Sequence, residues 1–205
     1  MTPKLVIATN NRGKLSEYEQ LLDGCGFELV TPRELGLIFE PEETGATYAE
    51  NARLKAAEAA RISGLPALAD DSGLEVDALD GRPGLFSARY AGGSRTSDDI
   101  TEAEQLRLLL GELEGVADER RTARFVCAIA VAATGREPRV VQASWEGKIA
   151  QEARGEHGFG YDPVFVVPGT GGRTSAELPS EEKNRMSHRG QAAALARDLL
   201  KELTL

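Results

Sequence analysis

An α/β fold of the mixed α+β kind, arranged around one central sheet, follows from three features of this sequence. Short apolar runs alternate with stretches whose apolar residues recur at helical spacing, and turn-forming clusters separate the two. The 205 residues, 41% hydrophobic and 28% charged, suffice for one domain that buries its own core. No internal repeat, low-complexity tract or linker interrupts the chain, so residues 1–205 are expected to form a single domain.

Residues 4–8 are an apolar run ending at a Thr-Asn-Asn turn, and from Lys14 onward Leu15, Tyr18, Leu21 and Leu22 recur at helical spacing, which predicts strand, loop, helix. Gly24 and Gly26 end that helix, and residues 27–30 read as a second strand. Thr47 with Glu50 is a capping-box signature before an Ala-rich helix that Gly64 and Pro66 close. Leu68 and Ala69 lead into Asp70-Asp71-Ser72-Gly73, which reads as a turn between extended segments, with a strand at 74–76. Ser97, followed by Asp98 and Asp99, reads as a helix start for the segment through Leu113, because acids suit the positive end of the helix dipole. Two β-rich runs follow at 124–131 and 140–149. Residues 158–163 form a glycine and aromatic loop before the apolar run 164–167, and Ser187 reads as the cap of a terminal helix through Leu203.

A formal net charge of -9 argues against a protein that grips nucleic acid through a broad basic face, so any phosphate must meet a local basic pocket. Cys25 and Cys127 sit in unrelated segments with no Cys-x-x-Cys pair or nearby His, and read as free buried thiols. No signal-peptide pattern or apolar run of membrane-spanning length is present, and the expected location is the cytoplasm.

Several segments carry chemistry. Thr9-Asn10-Asn11-Arg12-Gly13-Lys14 places a hydroxyl, amides, a flexible Gly and an ammonium between a strand and a helix, where backbone N–H groups also bind phosphate. It lacks Walker spacing, and an ordinary capped βα turn is the alternative. Glu42-Glu43 and Asp70-Asp71 are acidic pairs that would suit a magnesium ion if they converge; for the first pair the alternative is a solvated loop. In Asp70-Asp71-Ser72-Gly73 one carboxylate would help hold a metal while another accepts a proton from water, against the alternative of an Asx turn joining strands. Gly81-Arg82-Pro83-Gly84 reads as a rigid turn preceding Arg89, either a phosphate contact or a solvated surface Arg. Phe159-Gly160-Tyr161-Asp162-Pro163 is suited to stacking a base and bonding its edge, or is a packed turn. Lys183, His188 and Arg189 concentrate cationic groups at the start of the last helix.

Together these blocks resemble the inosine triphosphate pyrophosphatase family, also called Ham1-like or dITP/XTP pyrophosphatases, nearly from end to end. The resemblance rests on Thr9-x-Asn11-x-x-Lys14, Glu42-Glu43-Thr44-Gly45, Glu50-Asn51-Ala52 with Lys55, Asp70-Asp71-Ser72-Gly73, Ser87-Ala88-Arg89-Tyr90, Gly158-Phe159-Gly160-Tyr161-Asp162-Pro163, Glu182-Lys183-Asn184 and Ser187-His188-Arg189. Asn10 stands where many members carry Gly, a departure that removes no charged group. The resemblance implies a long central mixed sheet flanked by helices, two lobes around a nucleotide cleft, and a homodimer. It implies that Thr9, Asn10, Asn11, Arg12, Gly13, Lys14 and Lys55 hold a triphosphate and that Ser72 contacts the substrate. Asp71 would be catalytic base and metal contact, with Glu43 also binding Mg2+, although the choice between Glu42 and Glu43 stays open. Phe159, Gly160, Tyr161 and Asp162 would form the base-binding wall, and Lys183, His188 and Arg189 would complete recognition of a 6-oxo purine.

The implied activity is magnesium-dependent hydrolysis of non-standard purine nucleoside triphosphates (ITP, dITP, XTP) to monophosphate and pyrophosphate, cleansing the nucleotide pool. Two rivals are a Maf-like pyrophosphatase for pyrimidine or modified nucleotides, against which the aromatic loop speaks, and a non-hydrolysing nucleotide-binding module, against which Asp70-Asp71 speaks.

Overall fold

A computed structural model describes residues 2–91 and 100–203. In chain order the elements are β1 (Lys4–Ile7), α1 (Arg12–Leu21), β2 (Glu28–Val30), α2 (Tyr48–Ser63), β3 (Ala67–Val76), α3 (Glu102–Glu112), β4 (Thr122–Ala132), β5 (Arg139–Ile149), β6 (Phe165–Val166), α4 (Ser180–Met186) and α5 (His188–Lys201), with short 3-10 segments between some of them. The strands form a six-stranded sheet in the order β2-β1-β3-β4-β5-β6. β1 runs parallel to β2 and β3, pairing Val6 with Val30 and with Ala67, while β5 and β6 are antiparallel, pairing Lys148 with Val166. The sheet is therefore mixed, as the family resemblance implies.

The chain gathers into two compact units, one drawn from residues 1–71, 127–143 and 188–205 and the other from 72–126 and 144–187. In the first, Leu5, Ile7, Leu68, Cys127 and Ile129 of the strands pack with Tyr18 and Leu22 from the α1 region and with Ala192, Ala196 and Leu200 of α5. Alanines at 52, 56, 59 and 60 make up most of the buried face of α2, and their small size lets a helix lie close to its support. Thr47 caps α2 by accepting from the Glu50 N–H at 3.1 Å, and Gly64 ends the helix in the left-handed conformation at φ 68°. The Glu50 carboxylate accepts from the Ala46 N–H at 2.7 Å rather than from Thr47, so the expected capping box is displaced by one residue.

The second unit packs Leu74, Val76, Leu109, Leu113, Tyr161, Val164 and Leu178 around a cluster of Phe125, Trp145 and Phe165. Phe165 lies with its ring centroid 4.5 Å from that of Phe125 and 5.2 Å from that of Trp145, within the range of favourable aromatic pairing. Arg121, only 2% exposed, donates to the carbonyls of Leu113, Ile149 and Ala150 at 2.8, 2.9 and 2.8 Å. It thereby ties the end of α3 to the end of β5.

Three expectations are corrected. Asp70-Asp71-Ser72-Gly73 is not a turn: it lies inside the continuous strand β3, because the strand's place in the sheet between β1 and β4 and its burial override the local turn preference of Asp, Ser and Gly. The first helix starts at Arg12, not Lys14, since Asn11 is its cap. The segment before Ser187, to which the sequence reading assigns no element, folds as the short helix α4, and α5 ends at Lys201 rather than Leu203. The helix start read at Ser97 lies outside the described residues; α3 begins at Glu102 behind a capping box of Thr101 and Glu104. Of the two cysteines, Cys127 is buried as expected and Cys25 is partly exposed.

Candidate active site

The turn from β1 into α1 is held from within. Thr9 Oγ1 accepts from the Asn11 N–H at 3.1 Å, the Asn11 side chain accepts from the Lys14 N–H at 2.9 Å, and Asn10 donates to the Phe39 carbonyl at 2.9 Å. Arg12 and Gly13 form the first turn of α1, whose amides have no upstream helical carbonyl and are the natural seat of an anion.

Successive side chains of a strand point to opposite faces, and β3 uses this on two adjacent carboxylates. Asp70 faces the cations of α1 and α5: Lys14 Nζ lies 3.0 Å and Arg189 Nε 3.6 Å from its Oδ2. Arg189 is itself gripped by Glu17 at 2.5 Å, so four charges alternate in sign from Lys14 through Asp70 and Arg189 to Glu17. Burial alone would raise the Asp70 carboxyl, but Lys14, Arg189 and Lys55 outweigh it and hold it well below the ordinary carboxylate range. Burial likewise disfavours the Arg189 charge, and Glu17 and Asp70 more than restore it. Cys127 Sγ sits 3.9 Å from Asp70 Oδ2 and from the Tyr18 hydroxyl, and burial, reinforced by the Asp70 charge, pushes the thiol up to about 12. That thiol is inert at neutral pH.

Asp71 faces α2 instead. Its Oδ1 accepts from Lys55 Nζ at 3.1 Å and its Oδ2 from the Asn51 amide at 3.1 Å. Lys55 also donates to Glu43 Oε1 at 2.8 Å; Glu42 and Glu43 are both exposed. Burial alone would lower Lys55, but Asp71, Asp70 and Glu43 together raise it, so it stays a cation. Two carboxylates thus converge on one cationic atom. Such an all-oxygen pair fits Mg2+, which is usually held by one or two carboxylates with water and phosphate oxygens completing its shell. Among the described residues no group of three or more His, Cys, Asp or Glu side chains is placed to hold a metal, so a dedicated protein cage is not what this site offers.

In the second unit a further network surrounds Asp162. Its Oδ1 accepts from the Ser175 hydroxyl at 2.9 Å and its Oδ2 from the Phe159 N–H at 2.9 Å and from Lys183 Nζ at 2.5 Å. The Lys183 ammonium lies 5.3 Å from the centroid of the half-buried Phe159 ring, within cation–π range. Gly158 is required here: it adopts φ 76°, and a Cβ would overlap the Asp162 carboxylate. Gly160 adopts φ 62° in the same turn. Tyr161 is buried among the apolar residues of this unit, and its hydroxyl donates to the Ser87 carbonyl at 2.9 Å.

The first unit therefore brings together Thr9, Asn10, Asn11, Arg12, Gly13, Lys14, Glu43, Lys55, Asp71 and Arg189, with His188 buried at the start of α5. The second brings together Phe159, Gly160, Asp162 and Lys183, places Tyr161 in its core and holds Ser72 half-buried on β3. Arg89 lies over the Phe86 ring at 5.2 Å. Sequence reasoning gave no role to Glu17, Asn51 or Ser175. Glu17 was findable, being three residues after Lys14 on one helix face. Ser175 carried no local signal.

A mixed α/β sheet whose strand β3 turns two neighbouring carboxylates to opposite faces, each met by a lysine, beside a helix start with free amides, has the chemistry of a phosphate-handling site. The Ham1 family model matches residues 5–199, and the chain belongs to the Ham1 family. It is 53% identical to a protein of Methylococcus capsulatus (strain Bath) named dITP/XTP pyrophosphatase, over all of this chain and 99% of that one. A protein of the same name from Bacillus subtilis is 48% identical over 91% of each chain. Among solved structures, a HAM1 protein from Coxiella burnetii matches with a TM-score of 0.84 at 44% identity, covering 98% of this chain and 99% of that one.

Proposed function

We propose that this protein hydrolyses the non-standard purine nucleoside triphosphates ITP, dITP and XTP to the monophosphate and pyrophosphate, removing them from the nucleotide pool. The observation that carries the reading is the arrangement of Asp71 and Lys55 beside the Lys14-bearing helix start, in a chain about half identical to full-length relatives named dITP/XTP pyrophosphatases.

In this reading the amides of Arg12 and Gly13, with Thr9, Asn10, Asn11 and the Lys14 ammonium, bind the triphosphate, and Lys55 offsets charge that develops on the phosphates. Asp71 accepts the proton of a water whose oxygen attacks the α phosphorus. A P–O bond forms there, the bond from the α phosphorus to the bridging oxygen breaks, and pyrophosphate leaves with the electron pair. Glu43 and Asp71 would hold Mg2+, which supplies further neutralisation of phosphate charge when bound.

Base selection falls to Lys183 and the turn carrying Phe159. An ammonium donates to a 6-oxo group, whereas the 6-amino group of adenine is itself a donor and would leave the ammonium bond unmade, a mismatch that discriminates strongly. The Phe159 ring offers a stacking face. On the family resemblance alone we extend the reading to a homodimer working in the cytoplasm; among the described residues no helix is long and apolar enough to cross a membrane.

Incubation with ITP and Mg2+ tests the reaction. Inosine monophosphate and pyrophosphate should appear in equal amounts, with adenosine triphosphate turned over at least about 100-fold more slowly. Release of inosine diphosphate and orthophosphate, or equal turnover of the two nucleotides, would contradict the proposal.

A further inference from the structure

We infer that Asn51 is a positioning residue for the hydrolytic step, a role that rests on the reading of Asp71 as base. Asn51 sits in the first turn of α2, 3% exposed, with both ends of its carboxamide committed. The Nδ2 amide donates to Asp71 Oδ2 at 3.1 Å, and Oδ1 accepts from the Gly45 N–H at 2.8 Å. With Lys55 on Oδ1 of Asp71 and Asn51 on Oδ2, the plane of the carboxylate is fixed from both sides. The other arm docks the acidic loop, since Gly45 is two residues beyond Glu43, whose carboxylate meets Lys55.

Gly45 shows how tight this join is. A Cβ there would fall 2.7 Å from Asn51 Oδ1 and 2.9 Å from the Asn51 backbone nitrogen, closer than side chains tolerate. The chemistry demands Asn: the site needs one donor and one acceptor on a single short planar group, which Asp cannot supply when ionised and Leu cannot supply at all. A single side chain thus sets the direction of the base and moors the loop that carries Glu43.

The two arms separate by mutation. Asn51→Asp keeps an acceptor for the Gly45 N–H but loses the donor to Asp71, whereas Asn51→Leu loses both. For Asn51→Asp we expect kcat on ITP to fall roughly 10- to 100-fold, with KM changed less than about threefold, because orientation of the base matters only once substrate is bound. In the metal-free protein, hydrogen exchange of the Gly45 amide should stay at the wild-type rate in Asn51→Asp and quicken at least about tenfold in Asn51→Leu, which should also need roughly tenfold more Mg2+ for half-maximal rate. Asn51→Ser, small and polar, takes the same measurements if Asn51→Leu does not fold. Wild-type kcat in folded Asn51→Asp, with Asp71→Asn inactive alongside it, would overturn the role of Asn51 alone. Turnover surviving in Asp71→Asn would overturn the assignment of the base and this role with it.

Discussion

Asp70 and Asp71 are the same chemical group at neighbouring positions, and their partners give them different work. Asp70 meets Lys14 and Arg189 and is fully buried, which makes it a fixed anion that aims Lys14 rather than a proton acceptor. Its depressed folded-state ionisation contributes stability that is present above the unfolded value, about pH 4, and is lost as pH falls further toward the folded value. Asp70→Asn removes this term and leaves Arg189 and Lys14 less compensated, so the variant should lose about 3–5 kcal/mol at pH 7. The gap between wild type and variant in urea midpoint should narrow as the pH drops from about 4 to 2. Parallel curves over that range would reject the assignment. At this scale the sequence made the charged groups of the first unit visible as types, but not their pairing. Arg189 was read toward the purine, and its guanidinium turns to Glu17 and Asp70.

At the level of elements, what was legible depended on whether the signal was local. β1, α1 and α2 announce themselves through periodicity and caps, because Asn11, Thr47 and Gly64 satisfy backbone groups within a few residues. The centre of β3 carries the local chemistry of a turn in Asp-Asp-Ser-Gly, and only its place between β1 and β4 and the cations of α1, α2 and α5 make it a strand. α4 was missed for want of a side-chain cap and because it spans just 7 residues. Arg121 belongs here too, since it joins α3 to β5 through carbonyls no sequence pattern reveals. Arg121→Met keeps the aliphatic stem but takes the guanidinium from three buried carbonyls, of which that of Leu113 still accepts from the Val116 N–H, and should cost about 2–4 kcal/mol. Chemical denaturation should show the lower midpoint, with turnover per folded molecule unchanged; an unaltered midpoint would mean water replaces the guanidinium without loss.

For the molecule as a whole, the charge of -9 and the location of its paired cations fit together. Lys14, Lys55, Lys183 and Arg189 each face a carboxylate within their own unit, so positive charge is spent locally and no broad basic surface is needed for a small polyanion. Duplex DNA should therefore show no mobility shift with the protein at about 0.1 M salt, and salt-sensitive retardation would contradict this. The mixed sheet, its flanking helices and a division into two lobes were expected from the family resemblance; that each compact unit is assembled from separated stretches of chain was not, because such grouping depends on contacts between residues far apart in order. That grouping has a consequence during synthesis. The segment that supplies Arg189 leaves the ribosome well after its partner Asp70. A nascent chain holds an unfinished charge relay until that late helix docks, and translation products stopped before it should carry no partial activity.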